Sequence, residues 1–126
     1  VIDKWFAIQS SSPIPETFNT VLSLTRHPDF DLATPNRVRA VIGTFSQANP
    51  VNFHAFNGQG YEFLADQVIA LNILNPQVAS RMLGPLTSWR RFDPARQDLM
   101  KIQLERVMNS PEISRDVYEV ASKSLV

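Results

Sequence analysis

Histidines and paired carboxylates are the first places to look for metal-binding chemistry in this chain. His27 and His54 are the only histidines, and they lie too far apart in the sequence to form the helical histidine pair of a zinc site. Asp29 and Asp31 resemble the start of a calcium loop, but the glycine and the distal glutamate of that motif are missing. We therefore expect no metal site and no cofactor in this chain, and interpret the two aspartates as part of a solvated turn.

Catalytic nucleophiles and phosphate-binding loops cannot be identified either. Gly58-Gln59-Gly60 lacks the third glycine and the preceding strand of a dinucleotide site, so it predicts a turn. No serine occupies a nucleophile elbow, and the i, i+4 pair Glu62 and Asp66 is typical of the exposed edge of a helix. We therefore assign no catalytic residue to this chain.

Arg39 and Arg81 are the two side chains that we single out as candidates for binding. On a helical wheel each lies at the edge of an apolar stripe, beside Ile42 and Val78 respectively. A cation at such an edge either extends to water or faces a cavity. Two interpretations stay open: a structural contact with a carboxylate or a helix C-terminus, or a place in the lining of a cavity.

The basic residues are unevenly distributed, with a mild excess over residues 81–106 that includes Arg90-Arg91. Trp89 and Phe92 flank that pair, and a basic stretch with aromatic residues can bind nucleic acid. However, the whole chain has 12 basic and 12 acidic residues, so the local excess is small. We expect no nucleic-acid partner, and expect Trp89 and Phe92 to anchor the connection between two helices.

The bulk composition favours one globular domain. The 126 residues are 44% hydrophobic, which is enough to build a core. Cysteine is absent, which is typical of a reducing compartment, and we expect a cytoplasmic location. No apolar run approaches the roughly 20 residues that cross a bilayer, so no membrane association is expected. The apolar opening around Trp5 and Phe6 is typical of a piece cut from a longer protein.

Proline positions divide the chain into about seven predicted helices. Six prolines follow a potential N-cap residue and would occupy the first helical position: Ser12-Pro13, Thr34-Pro35, Asn49-Pro50, Asn75-Pro76, Asp93-Pro94 and Ser110-Pro111. The predicted helices cover approximately residues 2–10, 15–26, 35–47, 60–74, 76–90, 94–108 and 111–125. Gly84-Pro85 should kink the fifth of them, and the fourth is apolar around most of its circumference, which predicts a helix enclosed by its neighbours.

These elements predict an all-α fold, because no segment alternates in the manner of a strand. Repeated helix–cap–helix units favour an α-α superhelix of stacked antiparallel helix pairs, similar to armadillo or HEAT repeats. A closed helical bundle is the competing arrangement, and the pattern does not separate the two.

Several short stretches resemble a known family. They are Asp3-Lys4-Trp5-Phe6, Pro35-Asn36-Arg37-Val38-Arg39, Gly43-Thr44-Phe45, Asn49-Pro50, Phe53-His54, Gly58-Gln59-Gly60-Tyr61, Ala70-Leu71-Asn72 and Asn75-Pro76-Gln77-Val78-Ala79-Ser80-Arg81. Together they are similar to the C-terminal region of the bacterial aminopeptidase N family of zinc metallopeptidases. The resemblance covers essentially the whole chain.

The resemblance implies that residues 1–126 are a single all-α unit, the terminal part of the helical domain of a larger enzyme. That enzyme would hydrolyse N-terminal residues from peptides with a zinc ion held in its catalytic domain, and the zinc-binding H-E-x-x-H motif is not in this chain. The helical domain would close the active-site chamber, limit access to short peptides, and have the catalytic domain of the same polypeptide as its partner. Arg39 and Arg81 would then line the chamber. The alternative function is a free-standing solenoid that binds peptides or proteins.

Overall fold

Helices follow one another along the chain where the sequence predicts them. The computed structural model describes residues 2–55 and 57–126, and within those ranges it contains no strand. The α-helices are α1 (Ile2–Ser11), α2 (Thr17–Leu24), α3 (Pro35–Val38), α4 (Thr44–Ala48), α5 (Pro50–Phe53), α6 (Gln59–Leu74), α7 (Pro76–Met82), α8 (Gly84–Thr87), α9 (Pro94–Met108) and α10 (Arg115–Leu125). The all-α prediction is confirmed.

The third predicted helix contains a π turn, which the sequence pattern did not indicate. Residues Arg39–Gly43 form this turn between α3 and α4, so the three segments make one nearly continuous helix. The Arg39 carbonyl accepts the Thr44 backbone N–H and also the Thr44 hydroxyl, the latter at 3.2 Å. A π turn brings residues five apart in sequence onto one face. Arg39 and Thr44 therefore face the same side of the helix.

Helix α6 is the central element, since it packs against α7 and α9 and also contacts α5. Tyr61, Leu64 and Val68 on α6 are fully buried, as expected for an enclosed helix. The expectation is wrong for the last turn, where Ile73 and Leu74 are 68% and 56% exposed. The chain reverses immediately afterwards at Asn75, so that turn lies at the edge of the structure.

Four of the six predicted N-cap–proline pairs stand at the start of a helix. Asn49, Asn75 and Asp93 each accept a hydrogen bond from the backbone N–H three residues on, and Thr34 precedes α3 without such a bond. The other two assignments are wrong. The residue before α2 is Glu16 instead of Ser12, and Ser114 caps α10 four residues after Ser110. In both cases the proline lies in the connection before the helix.

The fifth predicted helix is interrupted more strongly than a kink. Helix α7 ends at Met82, α8 runs over Gly84–Thr87, and a 3-10 turn follows at Trp89–Arg91. Pro85 has no N–H to donate to the carbonyl of Arg81, and its ring crowds the preceding turn. A hollow lies beside Gly84, where an added Cβ atom would meet no heavy atom within 4 Å.

The expected anchor at the end of the fifth predicted helix is present. The Trp89 indole is buried, and its Nε1 donates to the carbonyl and hydroxyl oxygens of Ser124 at 3.2 Å each. Arg90 lies over the Trp89 ring and donates to the carbonyls of Ser124 and Val126 at the end of α10. Trp89 and Arg90 therefore fasten α8 to the last helix. No helix described here is long and apolar enough to span a membrane.

Candidate functional site

Arg39 and Arg81 line the same hollow on the protein surface. Arg39 begins the π turn, Arg81 lies in the last turn of α7, and both side chains are largely exposed. The hollow has a volume of about 400 Å³. Its remaining lining residues are Gly43, Thr44, Gln47, Ala48 and Met82. The two arginines come from helices separated by α5 and α6, so the fold brings together side chains that lie far apart in sequence.

Neither arginine forms an ion pair with a carboxylate of the described residues. Arg39 donates through Nη1 to the amide oxygen of Asn36 at 3.0 Å. The Arg81 side chain makes no hydrogen bond to another residue in the described ranges, although its place in the last turn of α7 is one where the helix dipole favours a cation. Two guanidinium groups on one hollow favour an anionic ligand, and the planar fork of arginine suits a carboxylate.

A second hollow adjoins the first. It has a volume of about 380 Å³ and is lined by Ser46, Gln47, His54, Gly84, Pro85 and Ser88. Gln47 on α4 lines both hollows. The first hollow is otherwise bounded by the π turn, α4 and α7, and the second by α4, His54, α8 and Ser88. We call the two hollows together the groove. It has a cationic end at Arg39 and Arg81 and an end without formal charge at His54.

His54 closes the second end of the groove and is held by three neighbours. Its Nδ1 lies 2.7 Å from the hydroxyl of the fully buried Tyr61. Its ring stacks on Phe92 with the centroids 4.3 Å apart and 29° between the planes. The Nε of Arg96 donates to the His54 carbonyl at 2.9 Å, and Arg96 also pairs with Asp93 at 2.9 Å. The imidazole is therefore fixed in position.

The protonation of His54 follows from its surroundings. Burial lowers the pKa of His54, and the nearby Arg96 guanidinium lowers it further, so the imidazole is neutral at pH 7. Burial raises the pKa of Tyr61 to about 12, so its hydroxyl keeps its proton. A Tyr61 hydroxyl that keeps its proton can donate it to Nδ1 of His54, and the roles at this contact depend on the imidazole tautomer. When the Tyr61 O–H donates to Nδ1, the imidazole proton is on Nε2.

The Nε2–H of His54 has no hydrogen-bond partner among the described residues. The His54 ring is only partly buried. Because the ring lines the groove, Nε2 faces a region where it can form a hydrogen bond with a ligand, as a donor when Tyr61 donates to Nδ1. Sequence reasoning missed His54, since an isolated histidine gives no signal of the tyrosine and arginine that the fold places around it.

The possible metal ligands of the described residues are dispersed. Within residues 2–55 and 57–126, no three histidine or carboxylate side chains lie close enough together to hold a metal ion. The described residues therefore do not fit a zinc site. The groove instead offers guanidinium, imidazole, hydroxyl and amide groups, which bind organic ligands.

A family model and several known proteins match essentially the whole chain. A family model described as a domain of unknown function (DUF3458_C) with ARM repeats matches residues 1–126. Over 125 residues the chain is 47% identical to "Aminopeptidase N" of Caulobacter vibrioides and 43% identical to "Aminopeptidase N" of Escherichia coli. Each alignment covers 99% of this chain and 14% of the relative, in its C-terminal region.

A solved structure agrees with these sequence matches. Legionella pneumophila aminopeptidase A, crystallised in complex with aspartic acid, superposes on 98% of this chain with a TM-score of 0.93 and 36% sequence identity. The matched part is 14% of that chain. The chain thus spans about one-seventh of the proteins it matches, and the ARM-repeat description favours the stacked superhelix over a closed bundle.

Proposed function

The chain belongs to the DUF3458_C family of ARM-repeat domains, and we propose that it is the terminal part of the C-terminal helical domain of a larger, zinc-dependent aminopeptidase. Residues 1–126 would form one all-α unit within that domain. The full-length protein would remove N-terminal residues from peptides, and its location would be cytoplasmic. The similarity to two bacterial proteins named Aminopeptidase N over 99% of the chain supports this assignment.

The metal chemistry of the proposed reaction belongs outside this chain. A zinc ion in such an enzyme activates the water that attacks the peptide bond. The described residues offer no cluster of three ligands for that ion, so the catalytic domain of the same polypeptide would have to supply them. What this chain can provide is a wall for the chamber in which the reaction takes place.

In the proposed enzyme these helices close the active-site chamber and limit it to short peptides. A closed chamber excludes water and folded proteins from the reacting groups. The single observation that carries the proposal for the groove is that Arg81 faces the same hollow as Arg39 and has no carboxylate partner among the described residues. A peptide whose C-terminal carboxylate reaches this hollow would supply the missing partner.

The reading frame upstream of the Val1 codon gives a first test. An H-E-x-x-H motif encoded in frame is the expected result, because that motif holds the zinc ion of this class of peptidase. If the frame instead begins just before Val1, the proposed enzyme assignment is wrong. The free-standing peptide- or protein-binding module would then be the better description.

The role of the arginines is tested by steady-state kinetics of the full-length protein with Arg81→Ala. We expect KM for short peptides to rise by about tenfold to a hundredfold, because a charge-assisted hydrogen bond contributes roughly 1.5–3 kcal/mol. Single-residue amide substrates lack the carboxylate, so their KM should change much less. Arg115→Ala is the matched control, since Arg115 is exposed on α10 and pairs with Glu119. An equal rise of KM for both substrate types would remove the carboxylate contact from the proposal.

A further inference from the structure

The uncharged end of the groove has no role in the proposed carboxylate contact, although it is the more rigidly built end. We infer that this end, formed by His54, Gln47 and Ser88, binds the main-chain amide groups of the same peptide whose carboxylate lies at Arg39 and Arg81. The ligand class is therefore a short peptide with a free C-terminal carboxylate and at least one further peptide bond inside the groove. This inference rests on the proposed function and adds a second point of recognition to it.

The hydrogen-bonding capacity of this end matches a peptide bond. His54 offers its Nε2, which is a donor when the Tyr61 O–H donates to Nδ1, and the ring orientation is fixed by Tyr61, Phe92 and the carbonyl contact with Arg96. The Ser88 hydroxyl donates its hydrogen to the carbonyl of Pro85 at 3.0 Å, so its lone pairs remain to accept an amide N–H. A peptide bond presents one carbonyl acceptor and one N–H donor. The two sets are complementary.

The lack of formal charge at this end argues against an ionic ligand there. Its lining residues are neutral at pH 7, because the pKa of His54 is lowered by burial and by the nearby Arg96. Ser46 is buried and donates its hydrogen to the carbonyl of Ile42 at 2.8 Å, so it presents no free donor. An ion would lose hydration at this end without gaining an opposite charge, whereas an amide would exchange its water contacts for equivalent ones.

The size and continuity of the groove fit one extended ligand. The volumes of about 400 and 380 Å³ each lie at the lower end of the range for small-molecule sites, which is roughly 300–1,000 Å³. Gln47 lies where they meet, and its exposed amide can both donate and accept along the backbone of a ligand. A peptide with its carboxylate at Arg39 and Arg81 would pass Gln47 before it reaches His54.

Gly84 provides a way to block this end while leaving the arginines in place. It lines the second hollow but not the first, and an added Cβ atom would meet no heavy atom within 4 Å. A leucine at this position therefore has open space for its first side-chain carbon, and we expect its longer side chain to narrow the second hollow. The matched control is Ser23→Leu, which adds the same side chain to an exposed position on α2, away from the groove.

The experiment compares Gly84→Leu, Ser23→Leu and the unmodified full-length protein. The substrates are alanine p-nitroanilide, alanine peptides of two to four residues, and the C-terminal amides of those peptides. For Gly84→Leu we expect KM of the longer peptides to rise by about tenfold, which corresponds to roughly 1.4 kcal/mol, with alanine p-nitroanilide changed by less than about twofold. Ser23→Leu should leave all values unchanged.

His54→Phe keeps an aromatic ring against Phe92 and removes the Nε2–H, so it should show the same dependence on peptide length. Thermal unfolding of each variant identifies any loss of fold, and either variant that remains folded decides the question. A rise of KM that is equal for all substrates, or no change for the longer peptides, would overturn the inference. Arg81→Ala separates the two proposals. If Gly84→Leu shows no dependence on peptide length, but Arg81→Ala still raises KM more for peptides with a free carboxylate than for their C-terminal amides, the inference fails while the proposed carboxylate contact stands.

Discussion

The hydroxyl of Tyr61 lies 2.7 Å from Nδ1 of His54, and Tyr61 is fully buried whereas His54 is partly buried. Burial raises the pKa of Tyr61 to about 12, so its hydroxyl keeps its proton and can donate it to a neutral imidazole. A protonated His54 would place a hydrogen on Nδ1 against that O–H and a positive charge beside the Arg96 guanidinium. The folded protein therefore favours the neutral imidazole.

This relationship predicts how stability depends on pH. The pKa of His54 is lowered in the folded state, mainly by burial and also by Arg96, so the unfolded chain binds this proton more readily. Stability should therefore rise with pH up to the unfolded value near 6.5, and fall as the pH decreases from there toward the lower folded pKa. Urea unfolding of the protein from about pH 5 to about pH 7.5 measures the slope.

His54→Asn is the comparison that assigns the slope. It removes the titrating group, while His27 and the carboxylates stay unchanged. The variant should have a smaller rise in the free energy of unfolding across this window. Asp93 does not contribute to this slope. The hydrogen bond from Arg96 lowers the pKa of Asp93, so protonation of Asp93 changes stability only at pH values below the ordinary pKa range of an aspartate. The same slope in both proteins would contradict the prediction.

The close approach of Gly60 to Phe53 carries a second prediction. A Cβ atom on Gly60 would overlap the carbonyl oxygen of Phe53, because the start of α6 lies directly on the end of α5. Gly60→Ala should lower the free energy of unfolding by about 1–3 kcal/mol, since a backbone carbonyl cannot move aside as a flexible side chain can. Chemical denaturation measures the change.

Gly84→Ala is the matched control for that substitution. The same added methyl group would meet nothing within 4 Å at Gly84. We expect a change within about 0.5 kcal/mol, as for other surface substitutions. If both alanine variants lose equal stability, the cost comes from the loss of glycine itself and not from the contact with Phe53.

The sequence predicts those parts of the fold that depend on local chemistry. Asn49, Asn75 and Asp93 cap helices where they stand before a proline, because an N-cap bond joins groups three residues apart. Ser12 and Ser110 have the same local pattern and do not cap α2 or α10. The conformation of the loop at Ser12 involves contacts between residues distant in sequence, since the Asn49 side chain donates to the carbonyls of Ser10 and Ser12.

The candidate groove is less predictable for the same reason. Helical-wheel positions placed Arg39 and Arg81 at the edges of apolar stripes, but only the tertiary packing puts them on one hollow. The π turn at Arg39–Gly43 leaves no signature in hydrophobic spacing, and it sets the direction of one wall. His54 depends on Tyr61 and Arg96, which reach it from two other helices, α6 and α9.

The loop before α10 provides a third prediction, because it holds a non-glycine residue in the left-handed region. Glu112 has φ of 59°, and its carbonyl accepts a hydrogen bond from Nδ2 of Asn72 at 2.9 Å. The Asn72 amide oxygen accepts the Ser114 N–H at 2.8 Å. Glu112→Gly should stabilise the protein by about 0.5–1 kcal/mol. Glycine removes the cost of roughly 1–2 kcal/mol that a side chain imposes on the left-handed conformation, but part of this gain is lost because glycine raises the conformational entropy of the unfolded chain.

Asn72 is the residue that holds this conformation in place, and a double-mutant cycle tests its role. Without Asn72 the loop can leave the left-handed region, so glycine at position 112 should stabilise Asn72→Ala less than it stabilises the unmodified protein. Glu112→Ala is the control, because it removes the same carboxylate but keeps the Cβ atom and should give no gain. Urea unfolding of the five proteins measures each free energy. An equal gain from Glu112→Gly in both backgrounds would mean that the loop keeps its conformation without Asn72. The buried Asn72 amide would then not be what holds residue 112 in the left-handed region.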